Sequence, residues 1–357
     1  MEATVLEHAA AGAVVRRRVP LPHLDSQSVL CEPLAVGLCH TDVSVIRGLP
    51  GVQAGYAPRF PLVLGHEFVA EVREVGGEVS GITQGDRVVA SSHISCRACR
   101  WCDSGRSELC RDKRVIGLDI DGALAERIVM PAEFLRTIPA DLPLELAVLA
   151  EPFAVALHAV ELGGLAEGER VAVIGAGAVG LLSVCALVAA GHAPTLIGLP
   201  ADARQLELGL ELGAGAATLV DDALAESSGD FDVVVEAAGH HSAVAASLAL
   251  VGPGGRVICV GLPAESTTVD TAELARQEKA LIGSRAYDLS TWDSVPRLLA
   301  ANPAMQRMVT HTLAMDDIDR AIDLIERRAA TKVMLVPTTE LSSTRKNLLN
   351  DERQRTE

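Results

Sequence analysis

Large aromatic side chains are scarce in this chain: two Trp, two Tyr and five Phe, 3% of 357 residues. A pocket of stacked rings is therefore not expected, and a polar ligand is favoured over an aromatic one. Positive charge is also in short supply. Lys and Arg number 31 against 47 Asp and Glu, and the resulting net charge of -16 would repel a polyanion, so no nucleic-acid partner is expected. No uninterrupted apolar run approaches the roughly 20 residues needed to cross a bilayer, so no membrane partner is expected either. The opening MEATVLEHAA has no basic stretch followed by an apolar core, and no secretory leader is expected.

What is present is an ordinary globular composition, 49% hydrophobic and 22% charged, in a chain long enough for two domains. Four of the eight cysteines crowd between Cys96 and Cys110, a spacing that suits a metal better than a web of disulfides, and points to a reducing, cytoplasmic setting. Cys31, Cys185 and Cys259 lie inside apolar runs and read as small buried hydrophobes.

The stretch VAVIGAGAVG, Val171 to Gly180, reads as strand, tight turn, helix. In such a unit the first glycine (Gly175) permits the turn, the second (Gly177) lets backbone approach a pyrophosphate, and the third (Gly180) allows close helix–strand packing. The phosphates then meet unpaired N–H groups at the positive end of the helix dipole. Apolar runs of strand length follow at 194–199, 231–239 and 254–262, with a helical pattern at 203–212 closed by Gly213. That alternation describes an α/β fold with a doubly wound parallel sheet covered on both faces.

Residues 1–36 alternate apolar and polar in short pieces, as antiparallel β structure does. Within GLCHTD, Cys39 is a possible thiolate ligand, His40 a donor and Thr41 a hydroxyl beside them; in LGHEFVAEVREVG, His66 and Glu67 stand at a strand entrance. Cys and His are the types a catalytic zinc uses, and such a site needs only three protein ligands, leaving a fourth position open. Cys96, Cys99, Cys102 and Cys110 have the spacing to enclose one structural Zn²⁺, with an iron–sulfur cluster as the alternative. Glu151 and Pro152 open a helical segment leading to the glycine-rich turn, where Glu151 serves either the site or the helix N-terminus.

Taken together, GLCHTD, GHE, GDRV, the four cysteines, EP, GAGAVG, GGRV and TKVMLV resemble, in content and order, the zinc-dependent medium-chain alcohol dehydrogenases, especially the threonine, sorbitol and butanediol dehydrogenase branch. The resemblance implies a GroES-like β-rich catalytic domain, 1–152 plus 286–337, carrying a structural zinc lobe at about 92–113. A Rossmann domain at 153–285 and a polar, disordered tail at 338–357 complete the expected organisation. It further implies two zinc ions. Cys39 and His66, with Glu67 or Glu151 as third ligand, would hold the catalytic one, and the four cysteines the structural one. Thr41 would hydrogen-bond the reacting hydroxyl and Asp42 would support the site from behind. NAD or NADP would meet His40, Gly175, Gly177, Val179, Gly180, Val260, Gly261 and Lys332, the last as a phosphate-binding base.

Three positions depart from the family pattern. Ser44 stands where a proton-relaying histidine is common, leaving His40 or water for that task, and Ala70 replaces a usual glycine. The acidic residue that binds adenosine ribose falls on Pro200, with Asp202 able to serve an NAD ribose and Arg204 a 2′-phosphate. His93 lines the cleft or is an idle loop histidine; His158, His240, His241 and His311 read as structural or solvated.

The expected function is hydride transfer between NAD(P) and a secondary alcohol: a polyol, cyclitol, sugar derivative or amino alcohol. L-Threonine 3-dehydrogenase is the main alternative, and a non-catalytic zinc- and dinucleotide-binding sensor is the alternative of another class. A homodimer or homotetramer joined at sheet edges is expected.

Overall fold

The structure is a computed structural model that describes residues 1–8, 14–49, 55–263 and 265–338. The expected tail lies, beyond Thr338, outside the described residues. The chain forms two compact units, Met1–Ile94 with Arg114–Glu151 and the segment from Val309 onward, and Ser95–Lys113 with Pro152–Met308. The cysteine lobe and 286–308, assigned from the sequence to the first domain, thus group with the second unit.

The first unit is built on the long strand Ser28–Leu38, whose apolar run SVLCEPLAVGL is buried along most of its length. It pairs antiparallel with Glu67–Val75 on one side and Lys332–Val336 on the other, inside a seven-stranded sheet. Pro33, which has no N–H to give the ladder, sits at a register shift between Pro33 and Ala35. Ala70, fully buried opposite Pro33, leaves the strand intact, so the glycine it replaces is dispensable here. A three-stranded sheet of Val14–Arg18, Glu2–Leu6 and Leu62–Val63 confirms the antiparallel reading of the opening residues.

The second unit holds a six-stranded parallel sheet ordered Ala216–Leu219, Thr195–Gly198, Val171–Ile174, Phe231–Glu236, Val251–Cys259 and Ala280–Gly283. In chain order this runs 3-2-1-4-5-6, the doubly wound arrangement whose direction reverses between Val171–Ile174 and Phe231–Glu236. All four residues of Val171–Ile174 are buried, as a central strand covered on both faces requires. Ala172, Ile174, Ile197, Val234, Leu250 and Val257 form part of the core around it.

Candidate active site

Cys39 stands between the strand Ser28–Leu38 and the helix His40–Ile46, as the helix N-cap. Its N–H donates to Asp42 Oδ2 at 2.9 Å, so the helix's first turn fixes the residue that precedes it. His66 and Glu67 arrive on the neighbouring strand, whose register sets Glu67 opposite Gly37. That register brings together segments remote in sequence: one ligand atom each from Cys39, His66 and Glu67 lies within 4.8 Å of the others. Gly37 is required by this approach, since a Cβ there would collide with Glu67 Oε2 and crowd Lys332 Cε at 3.1 Å.

Behind the trio, the His66 Nδ1 atom is 3.0 Å from Asp42 Oδ1, both side chains being buried. A neutral imidazole that donates from Nδ1 to a carboxylate presents Nε2 to a cation, in the orientation metal-ligating histidines favour. Cys39 Sγ and Thr41 Oγ1 are 3.6 Å apart, which puts the hydroxyl beside the thiol. Lys332, buried at 3% exposure, pairs with Glu67. In this structure the ammonium meets a carboxylate within the first unit, a partner the sequence did not indicate beside its expected phosphate contact.

Electrostatics show what this cluster favours. Burial works against the imidazolium of His66, but the Asp42 carboxylate and Cys39 outweigh it and hold its pKa well above the ordinary value. The Lys332 pKa is likewise raised, Glu67 and Cys39 overcoming desolvation. Positive charge is thus stabilised wherever it can sit among these groups, and a divalent cation would take the place of those protons. Glu151 is buried but does not belong to the close trio. Burial, opposed by His66 and reinforced by Glu67, raises its pKa above the usual carboxylate range. His40 is exposed at the helix start, with its pKa lowered by partial desolvation and by the charges of Lys332 and Arg328.

In the second unit, the four lobe cysteines also place their sulfurs within 4.8 Å of one another, and none is in a disulfide. Cys110 Sγ accepts the Cys96 N–H at 3.4 Å, and Cys99 and Cys102 sulfurs are 3.6 Å apart. Backbone N–H groups of Cys102 and Trp101 bring the Cys99 thiol down to about 7, while burial pushes Cys110 up to about 11. Cys31 and Cys185, by contrast, are simply buried, with thiols pushed up to about 12. His93 is also buried.

The glycine-rich turn takes its expected form. Gly175 has φ 104°, Gly177 caps the helix Ala178–Ala189 with open space where a Cβ would be, and Gly180 packs against the Gly175 carbonyl. Val179 lies in the helix's first turn, and Val260 and Gly261 follow directly on the strand Val251–Cys259. Pro200 opens a short 3₁₀ turn after the strand Thr195–Gly198; Asp202 Oδ2 accepts the Leu199 N–H at 2.9 Å, and Arg204 is exposed.

Against known proteins, residues 25–140 match the alcohol dehydrogenase GroES-like domain and residues 178–301 the zinc-binding dehydrogenase domain. The L-threonine 3-dehydrogenase of Bacillus licheniformis is 32% identical over 89% of this chain and 94% of its own. The chain belongs to the zinc-binding alcohol dehydrogenase family. Among solved structures, a zinc-binding dehydrogenase of Sinorhizobium meliloti bound to NADP has a TM-score of 0.85 at 30% identity, over 94% of this chain and 99% of its own. Galactitol-1-phosphate dehydrogenase of Escherichia coli has a TM-score of 0.83 at 27% identity, over 94% and 100%. The fold expected from the sequence, GroES-like plus Rossmann, is the fold of this dehydrogenase.

Three features of the site were not foreseen. The Lys332–Glu67 pair and the Gly37 clearance depend on sheet register, which leaves no local signal. Glu236 is the third: it is fully buried at the end of Phe231–Glu236, where Oε1 accepts the N–H groups of Ala238 and Gly239 at 2.9 and 2.8 Å. Its only sequence signal was a carboxylate directly after the apolar run Val233–Val235.

Proposed function

We propose that the protein is a zinc- and NAD(P)-dependent dehydrogenase that takes hydride from the carbinol carbon of a polar secondary alcohol and leaves a ketone. The observation that carries this reading is the Cys39–His66–Glu67 trio with Asp42 behind His66. A thiolate, an imidazole and a carboxylate are the donors a catalytic zinc takes, so the residues present fit the metal. Cys39 and His66, with Glu67 as third ligand in preference to Glu151, would hold the zinc, which when bound would supply a Lewis acid for the substrate oxygen.

The chain's own residues do the rest. Asp42 fixes the His66 ring, and the Thr41 hydroxyl, beside Cys39, is placed to hydrogen-bond the reacting oxygen. Lys332 neutralises Glu67 until that carboxylate is needed. His40, exposed and with its pKa lowered by partial desolvation and the charges of Lys332 and Arg328, is the group that accepts the departing proton, the task Ser44 cannot perform. The turn Gly175–Gly180 receives the pyrophosphate, with Val260 and Gly261 along the nicotinamide ribose. Asp202 shapes the ribose end and Arg204 is the cation available to a 2′-phosphate. The four lobe cysteines hold a closed structural zinc.

L-Threonine is the first substrate to test, because threonine 3-dehydrogenases are among the relatives that match over nearly the whole chain. Polyols, sugar derivatives and aminocyclitols complete the panel, each assayed for nicotinamide reduction with NAD and with NADP. A secondary alcohol turned over with one of the two supports the reading; silence across the panel by zinc-loaded protein removes it. We further propose a homo-oligomer, dimer or tetramer, paired through the edge strand Ala280–Gly283, where Leu281 is 40% exposed. Sedimentation of a Leu281→Lys variant tests that pairing. A reduced, cytoplasmic protein is consistent with eight free cysteines.

A further inference from the structure

Outside the sites described above, one further group of metal-ligating side chains among the described residues has no role: His158, Glu161 and Asp288, all in the second unit. We propose that these three form an additional divalent-cation site that ties the helix Ala150–Gly163 to the start of the helix Leu289–Ala301. His158 and Glu161 are three positions apart on the first helix and so share a face. Asp288 is the N-cap of the second. One ligand atom from each lies within 4.8 Å of the others, close enough to converge on a single ion.

The state of each side chain points the same way. His158 is 4% exposed, and its Nδ1 has no hydrogen-bond partner. Asp288 Oδ2 lies 3.5 Å from that nitrogen, beyond ordinary hydrogen-bond length but within the spacing of two ligands on one metal. The other oxygen, Oδ1, is already engaged, accepting the Thr291 N–H at 2.9 Å and the Ser290 hydroxyl at 2.5 Å. The carboxylate is thus oriented with Oδ2 toward the histidine. Glu161 is oriented as well, its Oε2 accepting the Thr291 hydroxyl at 2.5 Å, and its exposure gives an ion a way in from solvent. Supporting bonds of this kind, holding ligands from behind, are what a built metal site shows.

The donor set also sets the site apart from the two already described. One imidazole and two carboxylates, without sulfur, accept harder cations such as Mn²⁺, whereas thiolate sites retain zinc. The site stands whether or not the proposed dehydrogenase activity does. Its test uses the full chain with its sulfur sites loaded with zinc, titrated with Mn²⁺ while the EPR signal of the free ion is followed. One Mn²⁺ per chain is expected, together with a rise in melting temperature. Glu161→Gln keeps the bond from Thr291, and Asp288→Asn keeps a good N-cap. Each is expected to weaken Mn²⁺ binding at least about tenfold and to abolish the thermal shift. Absence of Mn²⁺ binding by the unaltered chain, or equal binding by both variants, overturns the proposal.

Discussion

The two sulfur-bearing clusters of metal-ligating residues among the described residues are assembled in opposite ways. The lobe from Cys96 to Cys110 draws all four sulfurs from one short segment. The Cys39–His66–Glu67 trio depends on two strands meeting in one register, on a glycine that leaves room, and on a lysine from a third strand. The first is surrounded by its own backbone, whose N–H groups lower the pKa of the Cys99 thiol. The second is surrounded by charged side chains that could be partners or competitors for a cation. A closed set of four sulfurs has no place for substrate; a trio does. The contrast separates a cluster that holds structure from one available for chemistry.

The largest effect that would break this contrast is expected at Cys39. Cys39→Ser should lower kcat/KM by about three orders of magnitude, the loss of several kcal/mol of electrophilic stabilisation, with melting temperature little changed. Normal turnover in that variant would place the chemistry elsewhere. Cys99→Ser should do the reverse, opening the closed site and lowering the calorimetric midpoint by about 5 °C, as expected for several kcal/mol in a chain of this size. If activity per folded molecule fell as far as in the Cys39 variant, the two clusters would not be separable. Asp42→Asn should cost about 10- to 100-fold in zinc affinity, measured by competition with a chromophoric chelator, because an uncharged amide with one acceptor oxygen cannot serve both His66 and the Cys39 N–H. The smallest effect is expected at Gly37→Ala, about 1–3 kcal/mol of stability from the collision with Glu67, read by urea unfolding. A neutral outcome there would mean that the strand register has more slack than the close approach implies.

Legibility from sequence follows the same divide. The lobe and the Gly175–Gly180 turn could be read directly, since their chemistry is carried by spacing along one segment. Cys39, His66 and Asp42 became readable only as separate motifs joined by family resemblance. The pairing of Lys332 with Glu67 was not legible because a basic residue near the chain's end says nothing of which carboxylate it will face; strand order decides that. The grouping of 95–113 and 286–308 with the second unit was hidden for the same reason. His158 could be read from the sequence only as structural or solvated because Asp288, its neighbour in space, lies far along the chain.

The strand Lys332–Val336 lies inside its sheet, between Ser28–Leu38 and Val309–Ala314, rather than at an edge. During synthesis the ribosome must therefore deliver the whole intervening second unit before the first can finish its sheet. Until then the nascent chain carries an unfilled gap beside Cys39, an open seam that a chaperone would have to shield, and a premature stop before Lys332 would leave that seam permanently unclosed.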